Sequence, residues 1–264
     1  MTESVHPEGV AARATSRLDG ADAYGAGRMD SATPSSKDAQ AARPHAVVFD
    51  FDGTLADTFP RLAALMPRMA RELRFRDPGP DGLQALRELS MRQILSYLEI
   101  PWWKVPLVLW RARSLLKAEG DDIELFPGIA DLLGALDAAG MEWGILTTNG
   151  LDVVRTTLRR AGAPEPGWLE TGLGLSAKSR RLKRMANVLG VTMDRLLLVA
   201  DEVRDVEAAR NAGVPMIGVA WGYNTREALE RAGVDRVVES VARLRRALIG
   251  EEAEAGSASP AEAR

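Results

Sequence analysis

Two aspartates one residue apart close an apolar run, in the stretch Val47-Val48-Phe49-Asp50-Phe51-Asp52-Gly53-Thr54-Leu55-Ala56-Asp57-Thr58. Carboxylates this close repel one another, so a cation is their expected company, and an all-oxygen set suits a hard one. A second apolar run, Leu196-Leu197-Leu198-Val199-Ala200, ends in Asp201, Glu202 and, three residues on, Asp205. A third, Ile145-Leu146-Thr147-Thr148-Asn149-Gly150, ends in hydroxyls and an amide ahead of a helix, a strand end that offers O–H and N–H donors to an anion. A cation on the acids and an anion on the donors would meet in one place if these runs were neighbours. Singly each signal has an ordinary explanation: strand-end threonines cap turns, and Glu202 and Asp205 suit the first turn of a helix.

The elements that must position these residues follow from hydrophobic period. Ala46 to Phe51 reads as a buried strand, with Gly53 supplying the turn after it. From Pro60 to about residue 125 the period becomes helical, with Leu62, Leu65, Met66, Met69 and Leu73, then Leu83, Leu86, Ile94, Leu95 and Leu98. Pro67 should kink or divide the first of these helices. Trp102, Trp103 and Trp110 form an aromatic cluster expected either to pack in a core or to line a face that closes over a substrate. After Phe126-Pro127-Gly128, helix and strand alternate: helix 128–139, strand 142–148, helix 151–161, a weak strand at 168–173, helix 179–189, strand 195–201, helix 203–212 and strand 216–221. Such alternation predicts an α/β fold, a doubly wound parallel sheet with right-handed crossovers, the helical block being an insertion after its first strand. The reading divides the chain into an extension at 1–43, a core at 44–60 and 126–249, a helical cap at 61–125 and a tail at 250–264. Both ends are rich in small and charged residues without an apolar period and are expected to be disordered.

The first stretch resembles motif I of the haloacid dehalogenase-like superfamily, Asp-x-Asp-x-Thr after an apolar strand, here Asp50-Phe51-Asp52-Gly53-Thr54. Thr147 takes the place of the superfamily's motif II hydroxyl. Ala200-Asp201-Glu202-Val203-Arg204-Asp205 is similar to motif IV, Gly-Asp-x-x-x-Asp, with Ala200 in place of glycine. In Gly172-Leu173-Gly174-Leu175-Ser176-Ala177-Lys178-Ser179, Lys178 fits motif III just before a helix, with Lys183 as the fallback. Trp221-Gly222-Tyr223 is similar to a loop of phosphoglycolate-phosphatase-like members.

The resemblance implies a sheet in the order 3-2-1-4-5 and a Mg²⁺-dependent phosphatase that works through an aspartyl-phosphate. Asp50 would be the nucleophile and Asp52 the acid and base. Thr147 and Lys178 would hold the phosphoryl oxygens, with Gly53, Thr54, Thr148 and Asn149 about the substrate. Mg²⁺ would bind Asp50, the backbone carbonyl of Asp52 and Asp201, with Glu202 and Asp205 behind them. The substrate implied is a small phosphorylated metabolite, with phosphoglycolate as the best single name. Two other classes compete. Residues 172–179 are one residue short of a Walker A loop, Ala177 standing for its second glycine, and also carry a loose Gly-x-Gly-x-x-Ala dinucleotide pattern; both leave Asp50 to Thr54 unexplained. A fold of this kind that only binds, its site retired, is the other alternative.

Composition narrows the partners. At 264 residues, 46% hydrophobic and 27% charged, the chain can bury a sizeable core. A net charge of -3 gives no general attraction for nucleic acid or an anionic membrane. The absence of cysteine excludes disulfides, thiolate metal sites and a thiol nucleophile. With no apolar leader and no long apolar span, a soluble protein of the reducing cytoplasm is expected.

Overall fold

The computed structural model describes residues 44–118, 123–171 and 175–250. The proposed extension at 1–43, nearly all of the tail and Gly172 to Gly174 therefore lie outside the described residues.

Strand β1 (Ala46–Phe49) is apolar on both sides, and its alternation divides it between two cores. Val47 and Phe49 enter one cluster with Ile145, Val199, Leu132 and Leu244; Ala46 and Val48 enter the other with Leu146, Leu198, Leu182 and Val206. Only a strand in the middle of a sheet covered on both faces can do this. In the sheet, β1 lies between β2 (Glu142–Thr147) and β4 (Leu196–Ala200), all three parallel, with Phe49 level with Ile145 on one side and Val199 on the other. Strand β3 (Trp168–Thr171) flanks β2, β5 (Met216–Val219) flanks β4, and β6 (Arg236–Val238) closes the far edge. The order β3-β2-β1-β4-β5-β6 contains the expected 3-2-1-4-5 and adds a sixth strand that the sequence reading did not find.

The helices between the strands are amphipathic and cover the faces. Helices α5 (Ile129–Ala138), α6 (Leu151–Arg160) and α10 (Val241–Ile249) bury Leu132, Leu133, Leu158, Leu244 and Leu248 on one face. Helices α7 (Leu175–Leu189), α8 (Val203–Ala212) and α9 (Arg226–Ala232) bury Leu182, Met185, Val206, Ala209 and Leu229 on the other. Helix α7 begins four residues before the expected 179, so Lys178 lies in its first turn rather than ahead of it. Leu175-Ser176-Ala177 is compatible with a helix by propensity, so nothing in those residues stops α7 from starting there.

Residues 55–57 and 124–126 run side by side: the Asp57 N–H donates to the Glu124 carbonyl and the Phe126 N–H to the Leu55 carbonyl, both at 2.9 Å. Through this two-stranded neck the chain leaves the sheet and returns. Between the two passes lie α1 (Phe59–Leu73), α2 (Gly79–Leu86), α3 (Met91–Tyr97), a 3₁₀ turn (Trp102–Lys104) and α4 (Val105–Ala118). They enclose a core of their own, Leu65, Met66, Met69, Leu86, Leu98, Ile100 and Leu115.

Two expectations are narrowed here. Of the two outcomes expected at Pro67, division does not occur: α1 runs through it as one helix, with Leu65, Met66, Met69 and Ala70 buried on either side of the proline. The tryptophan cluster does not pack in a core: Trp102, Trp103 and Trp110 are 82%, 65% and 61% exposed. Helix α4 packs inward through Val105, Val108, Ala112 and Leu115, and this leaves its other face, apolar for two turns, in solvent.

Phe49 is fully buried, edge-on to Trp143, and adjoins Asp50. Phe49→Ala should lower the unfolding free energy by about 3–5 kcal/mol in chemical denaturation; a loss under about 1 kcal/mol would mean that this core does not carry the sheet.

Candidate active site

Because β1, β2 and β4 are adjacent and parallel, their carboxyl ends deliver Asp50, Thr147 and Asp201 to one edge of the sheet. The connection after β2 is α6 on one face and that after β4 is α8 on the other, so this edge is the topological switch point. All three residues are buried.

The Asp50 carboxylate is fixed at both oxygens. Oδ1 accepts the Phe51 N–H at 2.8 Å and Oδ2 accepts Lys178 Nζ at 2.8 Å; the same ammonium donates to Asp205 Oδ1 at 2.6 Å. Burial would lower the lysine pKa, but Asp205 and Asp50 outweigh it and hold the group above its ordinary value, so it is a permanent cation. Of the two candidate lysines the structure brings Lys178 to the acids, whereas Lys183 is exposed on α7.

Asp52 is half-buried and accepts Asn149 Nδ2 at 3.1 Å. Burial, with the charge of Asp50 added, raises its carboxyl to about 6 against the opposing hydrogen bonds of Asn149 and Thr58. Asn149 is itself oriented, its Oδ1 accepting the Gly150 N–H and its own N–H donating to Thr147 Oγ1 at 2.9 Å. The Thr147 hydroxyl thus caps its own turn and keeps its proton for another partner. Thr148 lies half-buried in the same turn.

Both oxygens of Asp201 are engaged. Thr54 Oγ1, wholly buried, donates to Oδ1 at 2.6 Å, and the Tyr223 N–H donates to Oδ2 at 2.7 Å. Two glycines make this fit possible. A β-carbon on Gly53, whose φ is +74°, or on Gly222 would overlap Asp201. Gly53 and Thr54, expected about the substrate, are therefore packed on Asp201. Glu202 pairs with Arg204 and Asp205 with Lys178, and among the described residues one oxygen each of Asp50, Glu202 and Asp205 come within 4.8 Å of one another. Among the described residues, Asp205 Oδ2 is buried without a partner. Burial raises Asp201, further raised by Glu202 and Asp50; it also raises Asp205, and takes Glu202 to about 7 despite Arg204.

Among the described residues, five acids (Asp50, Asp52, Asp201, Glu202 and Asp205) therefore meet two cations, Lys178 and Arg204. An orphaned buried oxygen, a shortage of positive charge and ligands that are all oxygen fit a hard divalent cation.

Sequence reasoning missed Arg204, Asn224 and Arg87, and it named Tyr223 only as part of a loop, without a role. Arg204 stands inside the quoted motif, yet its pairing with Glu202, two residues away, needs the turn into α8 to exist. Tyr223, Asn224 and Arg87 act from the loops after β5 and α2, and the one sequence signal was the Trp221-Gly222-Tyr223 stretch just past a strand.

The haloacid dehalogenase-like hydrolase family profile matches residues 47–219. A phosphoglycolate phosphatase of Synechococcus elongatus is 31% identical over 204 residues, 77% of this chain and 96% of that protein. A phosphoglycolate phosphatase of Caulobacter vibrioides is 32% identical over 208 residues, 74% of this chain and 86% of that one. Among solved structures, CbbY from Rhodobacter sphaeroides in complex with phosphate superposes with a TM-score of 0.56 at 25% identity, covering 76% of this chain and 96% of that one. A hydrolase from Pseudomonas syringae gives 0.58 at 23%, covering 74% and 93%. With the acids, the lysine and the switch-point strands in these positions, the chain belongs to the haloacid dehalogenase-like hydrolases.

Proposed function

We propose that this protein is a Mg²⁺-dependent phosphatase that hydrolyses a small phosphate monoester, phosphoglycolate by likeness to the named relatives, through an aspartyl-phosphate on Asp50. The observation that carries the reading is the bridge of Lys178 between Asp50 and Asp205. It aims a buried carboxylate and leaves a cation beside it, where the oxygens of a transferring phosphoryl group would lie.

In the first step an Asp50 oxygen attacks phosphorus while Asp52, kept partly protonated near neutrality by its raised pKa, gives its proton to the leaving alkoxide oxygen. In the second, Asp52 takes a proton from water, the water oxygen bonds to phosphorus, and the Asp50 carboxylate is released with inorganic phosphate. Lys178 and the free O–H of Thr147 hold the phosphoryl oxygens, and the buried strand ends keep other water away. The divalent ion, held by Asp50, the Asp52 carbonyl and Asp201 with Glu202 and Asp205 in reach, would neutralise phosphoryl charge. The helical block would be a cap that covers the crevice and selects the ester. A nucleotide-binding reading gains no support from residues 172–179, since Lys178 is committed to Asp50 and Asp205.

The proton role is tested by comparing Asp52→Asn on a nitrophenyl ester and on an alkyl phosphate, with Mg²⁺ and with EDTA. EDTA should abolish wild-type turnover. The variant should lose about 10²–10⁴-fold on the alkyl ester and distinctly less on the nitrophenyl ester, whose leaving group needs no proton. Equal losses would remove Asp52 from proton transfer.

Glu202 gives a test on stability. The folded chain keeps its proton up to about pH 7, whereas an unfolded glutamate releases it near 4.5, so between these values the unfolded state binds fewer protons and stability falls as pH rises. In chelator, the wild type should lose melting temperature across this window, Glu202→Gln should lose less, and Mg²⁺ should restore the wild type at pH 7. A Glu202→Gln slope equal to that of the wild type would contradict the account.

A further inference from the structure

The helical block is fastened to the core at a second place besides the neck. Asn224, buried, lies just past β5 in the loop that contains Tyr223. Its Oδ1 accepts the N–H of Val203, the first residue of α8, at 2.9 Å. Its Nδ2 donates to the carbonyls of Arg87 and Leu89, just past the end of α2, at 2.8 and 3.1 Å. Helix termini leave such groups without intrahelical partners, and one side chain here joins the end of a helix in the block to the start of a helix in the core.

Arg87 returns the contact. Its guanidinium donates to the carbonyls of Gly222 and Tyr223 at 3.0 and 3.3 Å and lies 5.5 Å over the ring of Phe59, which in turn meets Tyr223 at 5.6 Å. The Thr225 N–H donates to the Arg87 carbonyl at 3.1 Å, and Glu88 pairs with Arg231 of α9. The same loop holds Asp201: the Tyr223 N–H donates to its carboxylate and the Asn224 N–H to its carbonyl. The one loop between β5 and α9 thus grips the block on one side and the carboxylate on the other, and Gly222 leaves no slack between them.

We propose that Arg87 and Asn224 form a latch through which the seating of the helical block sets the orientation of Asp201, both being positioning residues for the divalent cation. This rests on the reading of Asp201 as a ligand of that cation. A displacement of residues 87–89 shifts the loop, and with it the N–H that fixes the Asp201 carboxylate. Groups that orient metal ligands from behind typically govern affinity by 10–100-fold.

The test is direct binding of Mn²⁺ to the full chain, followed by electron paramagnetic resonance without substrate, for the wild type, Arg87→Met, Asn224→Ala, the double variant and Leu65→Ala. Arg87→Met removes a positive charge, which by electrostatics alone would strengthen cation binding. The latch predicts about 10-fold weaker binding or more, a similar loss for Asn224→Ala, and a double variant well short of the product of the two. Leu65→Ala loosens the block's own core without touching the latch and should leave the affinity as in the wild type. If Asn224→Ala fails to fold, Arg87→Met decides alone. Unchanged or tighter binding in Arg87→Met, or losses that multiply, would overturn the latch while sparing the proposed function. A wild type that binds no Mn²⁺ would overturn the cation reading and the latch with it.

Discussion

Like charges buried together set the terms for this structure. At the carboxyl edge of the sheet, among the described residues, four buried acids and the half-buried Asp52 gather around two cations, and the ammonium of Lys178 is the link that makes the arrangement tolerable, since it touches both Asp50 and Asp205. Each carboxylate would rather be hydrated or protonated, which is why burial raises Asp52, Asp201, Glu202 and Asp205 above the ordinary carboxylate range. A site left in this condition attracts a divalent cation and a phosphoryl group together, because the two supply the charges that each other's ligands lack. The strain of assembling it falls on the two apolar cores, whose burial must outweigh it.

The rest of the molecule can be understood as what holds such a cluster still. β1 is central and buried on both faces, so Asp50 cannot move without disturbing two cores at once. Asp201 is held by contact at nearly every atom: Thr54 and Tyr223 at the carboxylate oxygens, Asn224 at the carbonyl, and two glycines where side chains would collide. The helical block leaves and rejoins the sheet beside Asp52 and touches the loop behind Asp201, so its two attachments bracket the acids.

What the sequence disclosed follows from how its signals arise. Apolar runs that stop at acids or hydroxyls mark strand ends, and Asp50, Thr147 and Asp201 were legible for that reason; their adjacency came from the resemblance, which carries the strand order. Lys178 was found despite a misplaced helix start. Less accessible were the directions of individual oxygens: the three carboxylates that draw closest are Asp50, Glu202 and Asp205, while Asp201 turns to Thr54 and Tyr223, and no periodicity distinguishes these outcomes. Contacts spanning 135 to 137 residues, as from Arg87 to Gly222 and Asn224, leave no local trace. β6, three residues long at the sheet edge, is shorter than a period-two pattern needs. Of the two places expected for the tryptophans, the core is ruled out by their exposure, because the inward face of α4 is a different one and only the fold shows which.

The central claim is that Asp50 becomes covalently phosphorylated. The most direct measurement is acid quench of the full-length enzyme during turnover of a radiolabelled phosphate ester with Mg²⁺, followed by peptide mapping. The account predicts label on the peptide that carries Asp50, and none on the corresponding peptide of Asp50→Asn. Label on a different residue, or an enzyme that turns over the ester without ever carrying label, would contradict it.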